Sequence, residues 1–84
     1  MNKKMIDQIR AKLQEYGCEV FEIDGELHFA KILNDIPELY SFSISKDLKS
    51  NLEELEETIL MSENSIKFYK EILEIFKGID KEEN

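Results

Sequence analysis

The sequence predicts a single α+β domain of order α-β-β-β-α, an antiparallel three-stranded meander packed on an N-terminal helix and a long C-terminal helix. Two observations carry this. Apolar residues recur with helical period at both ends of the chain, and with period two between about residues 20 and 45. A third is size: 84 residues make one domain, with residues 1–80 as its body and the charged segment 81–84 as a fraying tail. A chain this short buries only a little over ~60% of its unfolded surface, so its core is thin and cover from a partner is expected.

The first helix is read over residues 4–16. Met5, Ile6, Ile9, Leu13 and Tyr16 fall on one side, Lys4, Asp7, Gln8, Lys12 and Gln14 on the other. Gly17 stands where a left-handed residue would close it. From Cys18 the period becomes two. Phe21 and Ile23 precede Asp24-Gly25, and Leu27 and Phe29 follow. A two-residue type I′ loop would put the two pairs on opposite faces, whereas a three-residue loop with Gly25 left-handed puts all four on one face. Burying four such side chains together is worth about 1.5–3 kcal/mol each, which favours the bulged hairpin. Val20, Glu22, His28, Ala30 and Ile32 then share the outer face with Ser41, Ser43 and Ser45.

The second strand is expected to reach about Leu33, followed by a loop over residues 34–38 in which Pro37 keeps Ile36 out of helix. Tyr40-Ser41-Phe42-Ser43-Ile44-Ser45 alternates strictly and is the clearest strand, serine outward. Ser45 or Asp47 caps the long C-terminal helix.

From Asp47 to Lys77 the chain repeats Leu48, Leu52, Leu55, Ile59, Ser62, Ile66, Tyr69, Leu73 and Phe76, an a/d heptad pattern with one polar slip and no Gly or Pro inside. As one helix it would span roughly 46 Å, against a diameter of roughly 30 Å for a compact domain of this length. The helix either overhangs and pairs with another chain, or breaks at the weak helix formers of residues 62–65. The undisturbed heptad phase favours a continuous helix and a homodimer through Leu52, Leu55, Ile59, Ile66, Tyr69, Leu73 and Phe76. A second stripe, Phe68, Ile72, Ile75 and Ile79, needs further cover from the sheet, the first helix or a partner.

Net charge is −8 and is segregated. Residues 1–12 hold four bases against Asp7, residues 13–66 hold thirteen acids against Lys31, Lys46 and Lys49, and the rest is nearly balanced. Such a field repels nucleic acid and anionic membranes and steers toward basic proteins. A single cysteine, Cys18, fits a reducing cytoplasm. There is neither an apolar leader nor an apolar run long enough to span a bilayer.

Glu53, Glu54, Glu56 and Glu57 set four carboxylates within about 6 Å of helix axis, a density close to the ~1.7 Å per charge of duplex DNA. Glu63, Asp24 and Glu26 extend the candidate acidic patch. The plainer reading is a solvated helix face near a helix N-terminal half, where the dipole favours acid. His28 with Glu22 and Glu26 is too sparse a set for a metal site, and no cofactor or metal is expected. Cys18 lacks a base to activate it, the serines are the polar side of a strand, and no phosphate-cradling glycine loop exists. No enzymatic activity is expected.

In plan, residues 1–60 resemble small acidic phage-encoded anti-CRISPR proteins. The resemblance rests on Met1-Asn2 leading a short helix through Tyr16, three strands ending at Ser45, and the acid of Glu53 to Glu57. It implies an inhibitor that occludes a DNA-binding site, carboxylates standing in for phosphates, in a host cytoplasm. Acidic immunity proteins against basic nuclease toxins fit the same physics. The alternative class is a coiled-coil dimerisation or adaptor module whose acid only solubilises.

Overall fold

A computed structural model describes residues 1–62 and 67–83, the last by its backbone alone. The elements run in the order α1 (Lys3–Tyr16), β1 (Glu19–Ile23), β2 (Glu26–Leu33), β3 (Ile36–Ser43), α2 (Leu48–Met61) and α3 (Lys67–Glu83). The three strands form an antiparallel sheet in sequential order. The helices contribute Ile9, Leu13, Leu48, Leu52, Leu55, Phe68, Ile72, Phe76 and Ile79 to a core shared with Leu27, Phe29 and Phe42 of the sheet. All three helices therefore lie on one side of it, in two layers.

Each helix begins and ends for a local reason. Asn2 caps α1 by accepting the Met5 N–H at 2.8 Å, and Gly17 closes it at φ 99°, a conformation that costs a residue with a Cβ. Asp47 caps α2 through the Ser50 N–H at 2.8 Å. Only Ile9 and Leu13 of α1 are fully buried, with Met5 and Tyr16 packed beside them.

The continuous 47–77 helix does not form. α2 stops at Met61, and Ser62 is extended at φ −80°, ψ 128°. Ser62 therefore closes α2 at the first of the weak helix formers. The rest of the expected weak segment, with Glu63 and Ile66, lies outside the described residues. α3 folds back antiparallel on α2, with Lys77 beside Glu56 at 3.9 Å and Leu73 near Ile59 and Leu60. The reason is length. Helices of about 21 and 26 Å fit a body measuring 32 × 25 × 24 Å. Folding back also lets the chain bury both apolar stripes itself: Phe68, Ile72 and Ile79 are buried, with Ile75 half-buried. α3 continues to Glu83, through most of the segment expected to fray.

The first hairpin also differs from the sequence expectation. Ile23 pairs with Glu26, Phe21 with His28 and Val20 with Phe29, so the loop is the two residues Asp24 and Gly25, at φ 49° and 77°. This is the primed turn whose twist matches the strands, and it reverses the expected parity. Val20 and Glu22 face the helices, while Phe21 and Ile23 face outward, 41% and 49% exposed. Two interactions make this tolerable. Glu22 reaches Arg10 of α1 at 2.7 Å, and Phe21 stacks on His28 with ring centroids 5.4 Å apart.

The second turn is shorter than expected. Leu33 pairs with Ile36 around Asn34-Asp35, at φ 52° and 64°. Pro37 is part of β3, which its position on an edge strand permits. Further along β3 the alternation holds as expected, with Phe42 buried and Ser41 and Ser43 on the opposite face.

Candidate functional site

Among the described residues, two surfaces bear on the sites expected from the sequence. The first is the acidic flank of α2. Leu48, Leu52 and Leu55 pin one side of this helix to the core, and Glu53, Glu54, Glu56 and Glu57 are all exposed on the other. Over little more than one turn they span roughly 160° of the helix circumference. Lys46 pairs with Glu54 and Lys77 with Glu56, contacts that are worth little at an exposed position and leave the carboxylates accessible.

Asp24 and Glu26 belong to the sheet layer and not to α2. They sit at the β1–β2 turn, where the Gly25 carbonyl accepts the Ile44 N–H at 2.9 Å. The terminal ammonium of Met1 lies at the same end, donating to the Ile44 and Lys46 carbonyls. The residues expected to form one acidic patch thus come from both the sheet layer and the helix layer.

The second surface is the open side of the sheet. Its register places Glu19, Phe21 and Ile23 of β1, Glu26, His28, Ala30 and Ile32 of β2, and Pro37, Leu39, Ser41 and Ser43 of β3 there. Ile32 is 72% exposed and Leu39 55%. The sequence pattern implies a face that is wet apart from Val20, Ala30 and Ile32, of which Val20 in fact turns inward. It misplaces Phe21 and Ile23 through the wrong parity, and it leaves Leu39 unassigned because β3 is expected to start only at Tyr40, whereas it starts at Ile36.

His28 lies 3.7 Å from Glu26 on this face, but Glu22 points to the other side, so the three residues considered for a metal are not brought together. Among the described residues no group of three His, Cys, Asp or Glu side chains could hold a metal ion. Cys18 is buried, and burial pushes its thiol up, partly offset by Lys31. That is the setting of a core thiol rather than an activated one. Lys31 itself donates to the Tyr16 carbonyl at 2.5 Å and lies over the Tyr16 ring, satisfying the carbonyl end of α1.

The residues expected to form a dimer seam are mostly spent inside the chain. Leu52, Leu55 and Phe76 belong to its own core, and Ile59, Tyr69 and Leu73 are partly buried against it. No helix among the described residues is long and apolar enough to cross a membrane. Compared with known protein families, curated proteins and solved structures, the chain finds no significant match.

Proposed function

We propose that this protein is a small acidic inhibitor that binds a basic, nucleic-acid-handling protein and blocks its nucleic-acid site, carboxylates standing in for phosphates. The observation that carries this reading is the exposure of Glu53, Glu54, Glu56 and Glu57 on a helix whose opposite side is locked into the core. Rigid placement matters. A charge held in position pays less ordering entropy on binding than one on a mobile segment. The overall charge of −8 adds a steering field toward a basic partner. A nuclease toxin and a nucleic-acid-guided effector would present the same chemistry to it.

The test replaces the four glutamates with glutamine, which keeps helix propensity nearly unchanged. The melting transition should stay within about 1 kcal/mol of wild type. Wild-type protein should recover a nucleic-acid-binding protein from host lysate, should compete with DNA for it, and should do so less well as salt rises. The four-Gln variant should lose that competition by orders of magnitude, at about 1 kcal/mol or more per close charge pair. Equal recovery by both proteins would end this reading.

A further inference from the structure

The open sheet face has a pattern beyond mere exposure. Across the strands its rows read Ile23, Glu26, Ser43; then Phe21, His28, Ser41; then Glu19, Ala30, Leu39; then Ile32, Pro37. The apolar members form a diagonal band from Ile23 and Phe21 on β1, across Ala30 at the centre, to Leu39, Ile32 and Pro37. Carboxylates stand on both flanks, Glu26 on one and Glu19 on the other. Not one lysine or arginine occurs among these eleven positions.

The relief runs along the same line. β1 begins at Glu19 while β2 continues to Leu33. This leaves a depression of about 340 Å³ lined by Gly17, Glu19, Ala30, Lys31, Ile32 and Pro37. It adjoins the Ala30, Ile32 and Pro37 end of the band at the sheet's edge, where Gly17 and Lys31 from the α1 side complete its wall. The smallest side chain of the band, Ala30, marks its middle, where a covering element would approach closest. A sheet is ordinarily covered on its apolar faces, and here the helices cover only one.

We infer that this face docks an amphipathic helix of a basic partner protein. The helix lays its apolar stripe along the Phe21–Ala30–Ile32 diagonal, seats one large side chain in the depression, and sets lysine or arginine against Glu19 and Glu26. A second copy of this chain is a poorer occupant. Two such faces would bring Glu19 and Glu26, and the neighbouring Asp24 and Asp35 of the turns, against their own like. The inference rests on the inhibitor reading only for the sign of the partner's charge. It assigns the contact to a surface on the opposite side of the sheet from the helix layer.

The probe is a synthetic helix of about 18 residues, roughly five turns, with leucine on one stripe and lysine elsewhere; its control has glutamate in place of lysine. Titration into the labelled full-length protein should shift the amide signals of Phe21, His28, Ala30, Ile32 and Leu39, with micromolar affinity that weakens with salt. The control peptide should not bind. Ile32→Thr with Leu39→Thr keeps strand-forming residues at exposed sites, and should leave the melting temperature in place while weakening the peptide by roughly tenfold or more. The four-Gln variant of α2 should bind the peptide within roughly threefold of wild type.

Shifts confined to α2, or loss of binding in the four-Gln variant but not in the threonine pair, would overturn the inference and leave the inhibitor reading intact. Equal binding of the glutamate peptide, or none of the lysine peptide at millimolar concentration, would also overturn it. So would concentration-dependent shifts of the same amides without peptide, which would mark a second copy as the occupant.

Discussion

The carboxamide of Asn51 takes both backbone hydrogen bonds of Ser43. Its Oδ1 accepts the Ser43 N–H at 3.1 Å, and its Nδ2 donates to the Ser43 carbonyl at 3.0 Å and to the Asp47 carbonyl at 3.0 Å. Ser43 is the last residue of the edge strand β3, and Asn51 lies in the first turns of α2. A buried side chain, 2% exposed, therefore continues the sheet's hydrogen bonding into the helix. It fixes the angle at which the acidic helix leaves the sheet.

Asn51→Ala should cost about 1–3 kcal/mol, because it leaves the partners of a buried amide unpaired. Asn51→Asp keeps the acceptor for the Ser43 N–H but turns a carboxylate toward two carbonyls. It should be worse than alanine at neutral pH and recover as the pH falls and the new carboxyl protonates. Urea unfolding of the two variants at neutral and acid pH measures both. An aspartate variant as stable as wild type at neutral pH would show that the amide does not hold this junction.

The sheet's parity makes a second pair of expectations. Phe29 is fully buried with Phe42 at 5.6 Å and Phe76 at 5.8 Å between ring centroids, so Phe29→Ala should lose about 3–5 kcal/mol. Phe21→Ala removes a half-exposed ring stacked on His28 and should cost under about 1.5 kcal/mol. Two residues of the same type, eight apart in sequence, thus differ mainly by face. Equal losses in thermal melts would restore the bulged hairpin.

The third expectation concerns the heptad residues. Leu55 is fully buried in the chain's own core, so Leu55→Ala should cost about 2–5 kcal/mol, and the loss should not depend on protein concentration. A melting temperature that rises with concentration in wild type, and less so in the variant, would show that a second chain covers this residue.

Features that depend on a single period or a single cap were legible in the sequence. Ile9 and Leu13, Gly17 and Asp47 act through spacings of three or four residues, and Tyr40–Ser43 through a strict period of two. Features that depend on a choice between two local rules were not. At Asp24-Gly25, the gain from burying four side chains competes with turn geometry, and turn geometry wins. Val20 fills the inward position, and Glu22 finds Arg10. At Ser62 the heptad phase competes with four weak helix formers, and the phase is indifferent to the break. The same residues, Leu52, Leu55 and Phe76, pack as well within a folded-back pair as between two long helices. Asn51 gives no signal as a polar residue. Its place beside Leu48, Leu52 and Leu55 is the one available hint that it faces inward.

The last expectation is a pH dependence carried by Asp47. Hydrogen bonds to Ser50 hold its carboxyl below the ordinary value of 3.8, with Lys49 and the terminal ammonium adding to the effect. A folded-state value below the unfolded one means the contribution is complete above the unfolded value and disappears as pH falls through the folded one. Asp47→Asn keeps a good capping side chain and removes the charge. The variant should be less stable than wild type at neutral pH, and the gap should close once the pH drops well below 3.8. Asn2 supplies the control. It caps α1 with the same 2.8 Å geometry at Met5 and cannot titrate, so the cost of Asn2→Ala should stay level over the same range. Urea midpoints for the three proteins at several pH values measure both effects. A gap at Asp47 that stayed constant with pH would mean that its cap acts by hydrogen bonding alone, with no share from its charge.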